Sequence, residues 1–278
     1  MTVINTNTAA TLTANALAKN ERAMATSMER LSTGLRINSA GDDAAGLAIS
    51  SRMTSQINGL NQAVRNANDA ISMVQTADGA LIEVTNMLQR MRELAVQGAS
   101  GTNTGTNDMA AINTEFEALR DEVFQIVDDT QWNGVTLLDD TAGSTGAVTF
   151  HVGASANQTI VVDFGDFEGD GSFGSFVTAL DIDAATEANT AIGIIDTALT
   201  TVNTKRATFG AAINRLEYTA DNLANVSQNT SASRSRILDA DYASETTELA
   251  RTQIIQQAGT AMLSQANQQA QSVLALLK

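Results

Sequence analysis

The chain has 278 residues, of which 43% are apolar but only 4% aromatic, and it contains neither cysteine nor proline. Sixteen basic residues against 31 acidic ones give a net charge of −15, which opposes binding to nucleic acid. The absent thiols exclude a disulfide framework, a thiolate zinc site and a cysteine nucleophile. No apolar run approaches the roughly 20 residues of a membrane span. Residues 1–10 lack the basic stretch followed by an apolar one that marks a cleavable secretory signal, so any export is expected by another route. Much of the apolar content is alanine, which suits thin helix-on-helix seams better than a thick aromatic core. Without proline, long helices run uninterrupted and slow prolyl isomerisation drops out of refolding.

The first helix is predicted from about Thr6 to Leu35. Ala10, Leu17, Met24 and Leu31 recur every seventh residue, with Met28 and Leu35 four residues after Met24 and Leu31. Gly34, Asn38, Ser39 and Gly41 mark a break, and Asp42 or Asp43 is suited to cap the next helix. That helix, from Asp43 to Val96, carries Ile57, Leu60, Val64, Ala67, Ile71, Val74, Leu81, Leu88 and Ala95 at steps of three and four. Asp78 interrupts the seam, while Val84 and Met91 shift it by one position. At about 1.5 Å per residue it would be on the order of 80 Å long, the length of a rod. A Gly/Thr/Asn turn over 98–107 precedes a shorter helix with Met109, Ile112, Phe116, Leu119, Val123 and Ile126 on one face.

Val148–Val152 and Thr159–Asp163 read as a β-hairpin about residues 153–157. Phe164–Asp183 reads as an acidic loop. Helical periodicity returns with Ile195, Leu199, Val202, Phe209, Ile213, Leu216, Ala220 and Leu223, and Arg206 is the one exception. A polar stretch, Asn229–Ser235, is expected to separate this helix from the last one. There Ile255, Ala258, Met262, Ala266, Ala270, Val273 and Leu277 form a stripe. The expected fold is mainly α, an elongated antiparallel helical bundle or coiled coil with a small β-hairpin. Each terminal stripe needs a partner, either the other end of the chain or other copies of it.

Eight segments, in order, resemble bacterial flagellins. They are ERLSTGLRINSAGDDAAGLAIS (Glu29–Ser50), LQRMRELAVQ (Leu88–Gln97), WNGVTLL (Trp132–Leu138, with Trp where the family more usually has Phe) and FHVGASANQTI (Phe150–Ile160). NRLEYTADNLAN (Asn214–Asn225), SRILDADYASE (Ser235–Glu245), MLSQAN (Met262–Asn267) and VLALLK (Val273–Lys278) follow. The resemblance implies a structural subunit without cofactors, not an enzyme, that polymerises with copies of itself into the extracellular filament of the flagellum and serves motility. It implies a terminal-helix domain of residues 1–42 plus 236–278 (D0, the inner tube) and a helical rod with hairpin over 43–235 (D1). The outer D2 and D3 domains are missing.

The resemblance further implies secretion through the flagellar export apparatus, an export chaperone on the Ile255–Leu277 stripe, and dealings with the filament cap and hook-associated proteins. Leu17, Met24, Met28, Leu31, Ile255, Met262, Val273 and Leu277 are the implied assembly residues. It also implies that the innate receptor TLR5 binds the monomer through Arg90, Leu94, Gln97 and Glu115, a face buried between subunits in the filament. The plainer reading of that face is an exposed helix surface with i, i+4 pairs. A hook–filament junction protein is the alternative, since it resembles flagellin at both ends, but the unbroken series of motifs opposes it.

Other motifs carry less. GDGSFG (Gly169–Gly174) fits a G-x-G-x-x-G pattern without the strand before it or the helix after it. Asp166, Glu168, Asp170 and Gly171 begin like a calcium loop, yet Val177 stands where the bidentate acid belongs. His151 is the only histidine and has no metal-ligand companion. Asp42 and Asp43 read as helix caps and ion-pair partners, with Arg36, Arg234 and Arg236 as available counter-charges. Asn157-Gln158-Thr159 fits an N-glycosylation acceptor, and the Ser and Thr of 100–175 offer ground for O-glycosylation without specifying it.

Overall fold

The structure, a computed structural model, describes residues 6–101, 106–167 and 182–275. Among these are five helices, α1 (Thr8–Thr33), α2 (Ala44–Gly98), α3 (Thr106–Asp129), α4 (Ala185–Leu238) and α5 (Tyr242–Ala275). Four short strands lie between α3 and α4, namely β1 (Gln131–Trp132), β2 (Val135–Thr136), β3 (Ala147–His151) and β4 (Thr159–Asp163). The chain divides into a terminal unit, residues 1–55 with 229–278, and a central unit, residues 56–228.

Local chemistry sets the helix ends in the terminal unit. Asn7 caps α1 by accepting from the Ala10 amide at 3.0 Å. Gly34 ends it with φ 72°, a left-handed turn that glycine adopts without Cβ strain, and its N–H donates to the Arg30 carbonyl. Asp43 caps α2 through the Gly46 amide at 2.9 Å. Asp42 instead ties the preceding turn, accepting from the Ser39 amide and hydroxyl and from the Asn38 amide. Both aspartates are therefore backbone anchors. Their expected counter-charges point elsewhere. Arg36 donates to the Ile237 carbonyl, Arg234 to the Thr54 hydroxyl and Arg236 to the Ser233 hydroxyl.

The polar stretch Asn229–Ser235 does not break the chain. α4 runs through it to Leu238, and the turn is confined to residues 239–241. Ser, Thr, Asn and Arg are tolerated in a helix interior where no glycine or proline forces a stop. At that turn Leu35 and Asp239 form an antiparallel bridge. Arg36 N–H donates to the Leu238 carbonyl at 2.6 Å and Ala240 N–H to the Gly34 carbonyl at 2.9 Å.

The central unit packs α2, α3, α4 and the β3–β4 hairpin around one core. α2 contributes Ala67, Ala70, Val74, Ala77, Leu81, Val84, Leu88 and Met91, and α4 contributes Ala191, Ile195, Ala198, Val202, Phe209 and Leu216. The drift to Val84 and Met91 expected from the sequence is present. In α3 the buried row is Met109, Ile112, Phe116, Val123 and Val127, with Leu119 and Ile126 at its half-buried margin. The hairpin pairs Phe150 with Ile160 and Val148 with Val162, so alternate residues of β4, Ile160 and Val162, turn into the core.

Part of the expected acidic loop belongs to the core. Phe164, Phe167 and Ile182 are buried core residues, and the Phe164 ring lies 5.5 Å from that of Phe209. The remainder of that segment, with GDGSFG, Glu168, Asp170, Gly171 and Val177, lies outside the described residues. A second small ladder joins β1 to β2 across Asn133-Gly134, both at positive φ, the backbone a two-residue hairpin needs.

The two charged exceptions in the seams find each other. Arg206 Nε donates to Asp78 Oδ1 at 2.8 Å, joining α2 to α4 across 128 residues of sequence. Each is about one-third exposed, so the pair is only partly desolvated. Removing one partner leaves the other facing an apolar seam. Arg206→Ala is expected to lower stability by about 2 kcal/mol, whereas Asp78→Leu with Arg206→Met should recover most of the loss. Urea unfolding of the three proteins checks this, and a double variant no better than Arg206→Ala would refute it.

Candidate assembly interface

α1 and α5 run antiparallel along each other, and their polar ties step along both helices. Asn7 Nδ2 donates to the Ala266 carbonyl at 3.1 Å, Asn20 Nδ2 to the Thr252 carbonyl at 2.7 Å, and Arg30 Nη1 to Glu245 at 2.9 Å. Tyr242 Oη donates to the Leu31 carbonyl at 3.1 Å. The covered face of α1 is Ala10, Thr13, Leu17, Asn20, Met24, Ser27 and Leu31, at steps of three and four. That of α5 is Glu245, Leu249, Thr252, Gln256, Gly259, Leu263 and Ala266. Ser27 and Thr252 are its most buried members, and a Cβ on Gly259 would come within 3.2 Å of Leu17 Cδ1. The seam thus intersperses Leu and Met with small and polar groups, and a search for apolar periodicity does not register the latter.

Leu17, Met24 and Leu31 lie on this seam and are half-buried. The other expected assembly residues with described side chains do not. Met28 is 56% exposed and Met262 64%, and Ile255 is exposed as well. Leu12 and Ile254 add to the uncovered surface. Val273 sits within α5, and Leu277 lies outside the described residues. Apolar side chains therefore surround α5, while α1 covers one side of it. A helix that is apolar on more than one side calls for burial on more than one side.

In the central unit Arg90, Gln97 and Glu115 are exposed. Arg90 donates through Nε and Nη2 to Glu115 Oε1, at 3.0 and 2.8 Å, and through Nη1 to Glu93 at 3.0 Å. Glu115, then Glu93, raises the Arg90 pKa further above its ordinary value. The ion pair thus links α2 to α3 in addition to the i, i+3 contact along α2. Leu94 is only 2% exposed and belongs to the core beneath. His151 is exposed at the end of β3, where its carbonyl accepts from Asn66. No group of His, Cys, Asp and Glu able to hold a metal occurs among the described residues. No described helix is long and apolar enough to cross a membrane.

Charge is unevenly shared. All of the acidic excess falls in the central unit, whereas acids and bases almost balance in the terminal unit. In the terminal unit, hydrogen bonds from the Ser39 amide, then the Ser39 hydroxyl and the Asn38 amide, hold the Asp42 carboxyl below its ordinary value of 3.8. A depressed folded pKa adds stability above the unfolded value and loses it as pH falls through the folded one. The 38–42 turn is therefore expected to open below pH 3.8, read as faster exchange of the Asn38 and Ser39 amides. In Asp42→Ala that exchange should already be fast at pH 6, and pH-independent protection in this variant would refute the anchoring role.

Comparison with known proteins places this geometry. Residues 4–143 match the family model described as the bacterial flagellin N-terminal helical region, and residues 192–277 match the C-terminal helical region. A flagellin of Halalkalibacterium halodurans is 51% identical over 254 residues, 90% of either chain. A flagellin of Bacillus subtilis is 43% identical over 302 aligned positions, 99% of either chain. The crystal structure of Bacillus cereus flagellin is similar with a TM-score of 0.51 at 34% identity, covering 57% of this chain and 88% of that one.

Proposed function

The chain belongs to the bacterial flagellin family, the structural subunits of the flagellar filament, and on that premise we propose which of its surfaces do the work. It is a structural protein, not an enzyme, and it self-polymerises into the extracellular filament. Residues 1–42 with 236–278 act as the tube-forming domain, and 43–235 as the surrounding rod, with no outer domains. The observation that carries this reading is the apolar surface left uncovered on α1 and α5, at Leu12, Met28, Ile254, Ile255 and Met262. Covering each such side chain contributes roughly 1.5–3 kcal/mol, enough in sum to offset the ordering of terminal helices on assembly. Leu17, Met24 and Leu31 hold the pair, Met28, Ile255 and Met262 meet neighbouring copies, and Val273 lies further along α5.

The export chaperone takes the α5 stripe before assembly, so that the surface is covered during passage to the export apparatus. The filament cap and hook-associated proteins act at the filament's ends. TLR5 meets the free monomer at Arg90, Gln97 and Glu115, all exposed, with Arg90 and Glu115 joined by an ion pair, while Leu94 supports them from below.

Electron microscopy of monomer incubated with short filament seeds tests the central reading. The intact chain should extend the seeds, and a chain trimmed of about 40 residues at each end should not. Met262→Glu should lose both elongation and chaperone binding, and a Met262→Glu protein that elongates normally would remove α5 from the interface. For the receptor, Arg90→Ala with Gln97→Ala should weaken signalling by folded monomer. Leu94→Ala is a poor probe, because truncating a buried leucine costs about 2–5 kcal/mol of stability on its own. Unchanged signalling by the Arg90 and Gln97 variant would overturn the receptor assignment.

A further inference from the structure

A groove of about 480 Å³ runs between β4 and α4 in the central unit. Val161 and Asp163 form one wall, Thr204, Thr208 and Ala211 the other, and Arg215 stands at one end. β4 pairs only with β3 among the described strands, so its far edge borders this groove unpaired. Val161, on the outward face of β4, is exposed. The hydroxyls on the helical wall are already satisfied, since Thr204 Oγ1 donates to the Thr200 carbonyl at 2.8 Å and Thr208 Oγ1 to the Lys205 carbonyl at 2.7 Å. A partner covering this wall would strand no hydroxyl.

The charges are the informative part. Lys205 is occupied by Asp163 at 2.8 Å. Arg215 is exposed, and its side chain makes no ion pair among the described residues. On a unit that is otherwise strongly acidic, it is a cation without a counter-ion. The complementary defect lies at the end of α3. Asp128 and Asp129 are exposed in its last turn, at the negative pole of the helix dipole, and that turn contains no basic residue. Carboxylates there are disfavoured until a cation approaches. Neither aspartate makes an ion pair within the described chain.

We infer that the groove between β4 and α4 receives the carboxyl end of α3 from a second copy of this chain, with Arg215 meeting Asp128 and Asp129. Groove and helix end are different patches of one surface. Copies joined in this way make a head-to-tail contact that leaves both ends open for the next copy. A nucleic acid would satisfy Arg215 alone, but the acidic surroundings repel it. The contact rests on the polymerising reading above and assigns it one specific junction.

Seeded elongation at low ionic strength tests it, with Arg215→Glu, Asp128→Lys with Asp129→Lys, and the triple variant combining them. Each partial change should slow elongation at least tenfold, and the triple variant should return to within about threefold of the parent rate. Arg215→Glu should leave the melting curve of the monomer unchanged, and the paired lysines, at the carboxyl end of a helix, should raise it slightly rather than lower it, so slower elongation does not reflect unfolding. Arg215→Glu elongating at the parent rate, or a triple variant as slow as the others, would overturn the junction while leaving polymerisation through α1 and α5 intact. Failure of the parent chain itself to extend seeds would overturn both.

Discussion

The rest of the molecule depends on the pairing of α1 with α5, two segments from opposite ends of the sequence. Asn20 and Thr252 are 232 residues apart and share a 2.7 Å hydrogen bond. Bringing such remote segments together carries a loop-closure entropy that grows only slowly with length. What the pair then offers is thin. Ser27, Thr252 and Gly259 allow the helices to approach closely, but they bury little apolar area. The larger side chains, Met28, Ile254 and Met262, are left outside. A seam whose closest contacts are made by small groups, with Met28, Ile254 and Met262 left outside it, is poorly suited to a solitary molecule. It suits one whose final neighbours are other copies.

Much of this was legible in the sequence, and the failures share a cause. Apolar periodicity located α1, α2, α3 and α4, and alternation located the β3–β4 hairpin. It found Leu17, Met24 and Leu31 because large side chains recur there every seventh residue. It did not find the α5 side of the seam, where Thr252, Gln256 and Gly259 do the packing. Nor did it separate Leu94 from Arg90 and Gln97, since a core leucine and its exposed neighbours share one stretch of helix. Asn229–Ser235 looked like a break because polar residues were read as a stop, although nothing there prevents helix. Phe164, Phe167 and Ile182 were hidden by the acids around them. Asn133-Gly134 is a hairpin signal in its own right, set within the longer WNGVTLL segment.

The distribution of charge completes the division of labour. The terminal unit is nearly neutral, so its copies can crowd together without mutual repulsion. The central unit carries the acidic excess, which keeps the chain soluble before assembly and weakens lateral association at low ionic strength. Asp78 and Arg206 stand apart from this pattern. Inside an apolar seam they contribute less to stability than to alignment, since sliding α2 against α4 by one turn would separate them.

The turns that join the two terminal helices to α2 and α4 have a mechanical consequence. A single connecting strand swivels about its own bonds. Here the two connections are stitched by the Leu35–Asp239 bridge, with Arg36 donating across to Leu238 and Ala240 donating back to Gly34. Rotation about one connection must stretch hydrogen bonds to the other, so the joint resists twisting. A rotating filament built from such subunits passes torque through every one of these joints in turn, and the paired strands keep that torque from being lost as idle rotation.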